Sequence, residues 1–142
     1  MQGIVVGVDG SENSLDALHW AAAEARLRSL SLRVVGTFTT PIMSTGYELA
    51  VPDPADLQSA AETTLSAAVD VVREAGELDG IDVAVEAVEG HAGERLITLS
   101  RDAELLVVGS RGHGGFMGLL LGSVTTYVVN HAECPVVVVR HT

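Results

Sequence analysis

Lysine is absent from this sequence: all eight basic residues among its 142 are arginines. Schiff-base chemistry and the lysine of a Walker A phosphate loop are thereby excluded. Cysteine occurs once, as Cys134, so no disulfide can close within the chain. Positive charge is scarce, with 8 basic against 19 acidic residues for a net charge of −11, and no run of arginines offsets it. Such a chain repels phosphate backbones and anionic bilayers, which argues against nucleic-acid or membrane binding through a general basic field. Long apolar runs are missing too: the densest, 117–121 and 136–139, fall far short of the roughly 18 residues that span a bilayer. Met1-Gln2-Gly3 lacks the basic region of a secretory leader, so a cytoplasmic location is expected. The expected partner is a small molecule or another protein.

What is present suits a single domain over residues 1–142, with a hydrophobic content of 47% and enough length to bury a core without disulfide or metal. Short runs rich in β-branched residues alternate with longer stretches of helical period, the pattern of a parallel sheet covered by helices. Strands are predicted at 4–8, 32–38, 81–88, 105–108 and 136–140. Leu15, Leu18, Ala22 and Ala25 mark a first helical face, and Leu57, Ala61, Leu65, Ala68 and Val72 a second. A third helix is predicted over 93–101, and a fourth from Ser123 with Val124, Tyr127, Val128 and His131 on one face. The strands at 4–8, 105–108 and 136–140 are continuously apolar, as at a sheet centre or an interface. Residues 39–54 hold three of the four prolines and have no period, which predicts a long connection. Charge is uneven: residues 105–142 hold Arg111 and Arg140 against Glu133, a net of +1, so residues 1–104 carry −12.

The densest motif runs from Gly109-Ser110-Arg111-Gly112 through Gly122-Ser123-Val124-Thr125, with six glycines between 109 and 122. It follows an apolar strand and ends where a helix begins. Glycines let backbone amides approach a ligand, and a helix start offers unpaired N–H groups and a positive dipole end. Ser123 and Thr125 add hydroxyls, and Arg111 a permanent cation able to fork onto phosphate. The Walker A pattern fails for want of lysine, and GxGxxG fails because Gly112-x-Gly114 is followed at the third place by Met117. The GxSxG elbow fails because Val108 stands two before Ser110, which reads instead as a loop hydroxyl.

Asp9, at the exit of the first strand, lies where open α/β sheets bind ligands and is a candidate acceptor for a ribose or a metal-bound water. The alternative is helix capping together with Ser11 or Ser14, which is the favoured role for Ser11. His19, His131 and His141 show no metal-ligand spacing and read as structural or solvated. His113 lies inside the glycine segment, where phosphate contact and simple exposure are equally open. Cys134 reads as a small apolar residue rather than a reactive thiol, and the acids from Glu74 to Glu104 as a mostly solvated face.

The spacing Gly109-x2-Gly112-x9-Gly122-Ser123, continued by Val124-Thr125, resembles the ATP-binding signature of universal stress proteins. Residues 4–11 with their Asp, and the closing segment 131–140 with Cys134-Pro135, are similar to the same family, so the resemblance covers essentially the whole chain. It implies an adenine nucleotide α-hydrolase-like, Rossmann-like α/β three-layer sandwich: a five-stranded parallel sheet of order 3-2-1-4-5 with helices on both faces. It further implies that Asp9 holds the ribose, Thr37 contacts adenine through its backbone, and Val108 lies beside the base. Gly109, Arg111 and Gly112 would line the ribose and phosphate path, and Gly122, Ser123, Val124 and Thr125 would bind phosphates. Magnesium or manganese would bridge those phosphates, and a homodimer would form through the last strand, Val136 to Val139.

Three functions compete. The first is a cytoplasmic ATP-binding stress regulator with little or no turnover, because no catalytic base or nucleophile can be assigned. The second is a slow ATP hydrolase or nucleotidyl-transferring enzyme; residues 9–14 are distantly similar to the SGGxDS loop of ATP pyrophosphatases, with Asp9 for Ser, Ser11 for Gly and Asn13 for Asp. The third is a dimeric interaction module that binds no nucleotide. The sequence names no downstream protein partner.

Overall fold

The computed structural model describes residues 3–39, 53–111 and 121–141. Strand and helix alternate from end to end: β1 (Ile4–Gly7), α1 (Glu12–Arg28), β2 (Leu32–Phe38), α2 (Pro54–Glu74), β3 (Val83–Glu89), α3 (Ala92–Ser100), β4 (Leu105–Gly109), α4 (Ser123–His131) and β5 (Val136–Val139). Every strand pair is parallel, and the order is β3-β2-β1-β4-β5, as the resemblance implied. The strand limits move by one or two residues: β1 stops at Gly7, β3 begins at Val83 and β5 ends at Val139. Most of the long connection predicted at 39–54, and residues 112–120 of the glycine segment with Gly112 and His113, lie outside the described residues.

Local chemistry sets the helix ends. Ser11 caps α1, its hydroxyl accepting from the Ser14 amide at 3.2 Å, while Glu12 in the first turn and Arg26 and Arg28 in the last complement the dipole. Asp53 caps α2 by accepting from the Ala55 amide at 3.0 Å, with Pro54 opening the helix. No helix among the described residues is long and apolar enough to cross a membrane.

The sheet separates two cores. On one face, Ile4, Val6, Leu32, Val34, Leu105 and Val107 pack against α1 and α2; on the other, Val5, Val35, Leu106 and Val108 pack against α3 and α4. Each valine or leucine taken fully from water contributes about 1.5–3 kcal/mol, so β1 and β4, buried on both faces, anchor the fold. β5 is an edge strand whose four valines are only half-buried.

Two predicted helix faces shift. The buried stripe of α1 is Ala17, Leu18, Ala21, Ala22 and Ala25, with Leu15 at its margin, because small alanines let the helix lie close to the sheet. In α4 the buried residues are Thr125 and Val128; Val124, Tyr127 and His131, expected to form the packing face with Val128, are exposed at its margin, where Tyr127 lies against Gly93 of α3 and stacks on His131. The reason is local: a hydrogen bond from Thr125 to β4 fixes the rotation of the helix.

Candidate functional site

β1 and β4 lie side by side, and from their exits the chain departs to helices on opposite faces: α1 covers one, α4 the other. This is the topological switch point, where the carboxyl ends of the strands leave a crevice. Five polar side chains are buried among the described residues, and four of them, Asn13, Ser14, Ser110 and Thr125, gather here. Buried polar groups demand partners, and each has one.

Asn13, in the first turn of α1, is at the centre. Its Oδ1 accepts from the Ser110 hydroxyl at 3.0 Å and from the Arg111 amide at 2.8 Å, and its Nδ2 donates to the Val139 carbonyl at 3.0 Å. Gly109 makes room for it: a Cβ there would stand 2.9 Å from the Asn13 Cγ. Thr125 donates its hydroxyl to the Gly109 carbonyl at 2.6 Å, the Ser110 amide donates to the Val139 carbonyl at 2.9 Å, and the Gly122 amide donates to the Ser110 carbonyl at 2.7 Å.

These bonds sort the expected site residues. The amides of Ser110, Arg111 and Gly122 are occupied within the protein, as is the Thr125 hydroxyl. Arg111 is exposed and offers its guanidinium; Ser123 is exposed at the first position of α4, and no side chain caps that helix. The amides of its first turn, Val124 among them, have no side-chain cap and carry the positive end of the helix dipole, while Val124 is 38% exposed. Asp9 is exposed at the exit of β1; its Oδ1 accepts from the Ser11 amide at 2.9 Å and its own amide donates to Ser14 Oγ at 3.3 Å. Val108 is buried within β4, and Thr37 stands near the end of β2 opposite Val88, at the same sheet edge but across β1 from the glycine segment.

The remaining titratable groups lie elsewhere or serve packing. His19 bonds Glu77 at 2.7 Å, and His131 donates to the Tyr127 carbonyl at 2.8 Å while stacking on its ring. Burial pushes the Cys134 thiol up, the opposite of what a reactive thiolate needs. Sequence reasoning met Asn13 only as the residue standing for Asp in the distant SGGxDS likeness and not as a site residue, since its partners lie about a hundred residues away.

The family model of the universal stress protein family matches residues 1–140. The chain belongs to the universal stress protein family. Universal stress protein Rv2624c of Mycobacterium tuberculosis is 37% identical over 141 residues, covering 99% of this chain and 48% of the relative. This universal stress protein chain thus spans about half the length of the curated relatives it matches. Among solved structures, a universal stress protein in complex with cAMP superposes with a TM-score of 0.73 at 28% identity, covering 98% of this chain and 96% of the other. The universal stress protein of Archaeoglobus fulgidus in complex with dAMP gives a TM-score of 0.71 at 26% identity, covering 98% of each.

Proposed function

We propose that the crevice at the switch point binds an adenine nucleotide, ATP in the first instance, and that the protein acts as a nucleotide-dependent stress regulator with little or no turnover. The observation that carries this reading is the uncapped N-terminus of α4, joined to β4 through the glycine segment, with Arg111 exposed two residues beyond the end of β4. Helix-start amides, a guanidinium and the Ser123 hydroxyl together supply phosphate donors without lysine. In this reading Asp9 accepts from the ribose, Thr37 meets adenine through its backbone, Val108 and Gly109 underlie the base and ribose, and Gly112, Gly122, Ser123, Val124 and Thr125 line the phosphate path. The relatives bound to cAMP and dAMP support the choice of an adenine nucleotide.

Binding without turnover is favoured because the Ser110 hydroxyl directs its proton at an amide oxygen, which cannot serve as a base. Among the described residues no group of three or more His, Cys, Asp or Glu could hold a metal ion; in this reading magnesium or manganese enters with the phosphates. The half-buried edge strand β5 supports a homodimer, with a second copy pairing along it. Calorimetry with ATP and magnesium tests the reading: micromolar or tighter binding with no phosphate released over hours is expected, and no heat with any adenine nucleotide overturns it. Rapid release of phosphate or pyrophosphate would instead favour the enzyme.

A further inference from the structure

Asn13 is only 6% exposed, and one amide group satisfies three partners drawn from two distant stretches of chain. The orientation of the amide is dictated by those partners: two donors, the Ser110 hydroxyl and the Arg111 amide, face its oxygen, and a carbonyl faces its nitrogen. An aliphatic side chain at this position could fill the space but would strand the Arg111 amide, while the Val139 carbonyl would keep the Ser110 amide as its donor. Gly109 is shaped to the arrangement, since any Cβ there would collide with the Asn13 side chain and with its carbonyl at 3.0 Å.

We propose that Asn13 is the positioning residue of the crevice, fixing the point from which Arg111 leaves the sheet and locking it to the exit of the edge strand β5. The consequence for ligand affinity rests on the nucleotide reading above; the coupling of β4, β5 and α1 does not. Through Asn13 the start of the glycine segment and the end of β5 share one anchor on α1, so displacement of β5 is transmitted to Arg111 by two hydrogen bonds in series. Asn13 itself touches no ligand in this scheme.

Three forms of the full chain decide it: wild type, Asn13→Ala and Asn13→Asp. The introduced carboxylate still accepts from Ser110 and Arg111 but sets an oxygen in place of the N–H against the Val139 carbonyl, so it keeps the Arg111 contact and replaces the β5 contact by repulsion. In ligand-free amide exchange followed by NMR, the Arg111 amide should be protected in wild type and in Asn13→Asp, and should exchange at least about tenfold faster in Asn13→Ala. With ATP and magnesium, Asn13→Ala should bind about tenfold or more weakly. Equal Arg111 exchange in wild type and Asn13→Ala overturns the proposal. So does a freely exchanging Arg111 amide in a folded Asn13→Asp, which would reduce Asn13 to a filler of space. Should Asn13→Ala not fold, Asn13→Asp decides alone: a protected Arg111 amide supports the role and a freely exchanging one overturns it. If wild type binds no adenine nucleotide, the nucleotide reading falls while the exchange comparison still decides the positioning.

Discussion

The amide of Gly122 donates to the carbonyl of Ser110 at 2.7 Å, tying together the two ends of the segment that joins β4 to α4. With the Thr125 hydroxyl on the Gly109 carbonyl, this bond sets the start of α4 at a fixed place beside the exit of β4. The donors left for a ligand are then the first-turn amides of α4, the Ser123 hydroxyl and the Arg111 guanidinium.

Gly122 has φ −70° and ψ 166°, angles open to any L-residue, so its lack of a side chain is not required by the backbone. Gly122 is nonetheless buried, so Gly122→Val should keep its helical circular dichroism but melt several degrees below wild type. Its affinity for ATP should fall at least about tenfold, because the added methyls stand at the entrance to the first turn of α4. Calorimetry checks this, and unaltered binding would place the phosphates elsewhere.

Thr125 is almost fully buried and its hydroxyl is spent on the Gly109 carbonyl. Thr125→Val preserves shape but strands that carbonyl, at a cost of about 1–3 kcal/mol. Urea denaturation should show a lower midpoint with an unchanged slope, and Thr125→Ser should restore most of the loss. If Thr125→Val were as stable as wild type, the bond would not be what orients α4.

His141 bonds the Asp16 carboxylate at 2.6 Å and lies 3.5 Å from Glu12, clasping the chain's end to the first turns of α1. The hydrogen bond to Asp16, aided by the charges of Asp16 and Glu12, holds the imidazole above its ordinary value, near 6.5. A raised folded-state value means that the stabilising contribution is complete below about pH 6.5 and fades as pH rises through the raised value. NMR titration of the ring should show this shift, and Asp16→Asn should return the midpoint toward its ordinary range; no change on that substitution would refute the clasp.

The amides of Leu106 and Ser110 donate to the carbonyls of Pro135 and Val139, so alternate residues of β5 face β4 and the groups of Val136 and Val138 face the open edge. Val138→Pro removes an outward N–H, a change that edge strands tolerate. The monomer should keep its fold while the proposed homodimer shifts at least about tenfold toward monomer, measured by analytical ultracentrifugation. An unchanged association would move the interface off this strand.

The parallel sheet was legible because β1 and β4, buried on both faces, leave unbroken apolar runs; its order followed only from the family resemblance carried by the glycine spacing, since the equally apolar β5 lies at the edge. The rotation of α4 was not: Val124 and Tyr127 are apolar yet exposed, and the polar Thr125 turns inward to bond a backbone carbonyl. Nor was the close approach of α1, since its stripe is mostly alanine and contrasts weakly with its surroundings. Asn13 escaped because its partners at 110, 111 and 139 are near it only in the folded chain.

Ile4 pairs with Leu105, so the central pairing of the sheet joins opposite ends of the chain. Contacts of such separation carry a large loop-closure entropy and form late in folding. β1, α1 and β2 can assemble first, and they supply Asp9, Asn13 and Thr37 but no phosphate wall. A nucleotide seated in the crevice would grip only the finished molecule: it would slow unfolding and leave the folding rate nearly untouched. Occupancy would then be read by the cell as persistence of the protein against proteolysis, before any partner had been engaged.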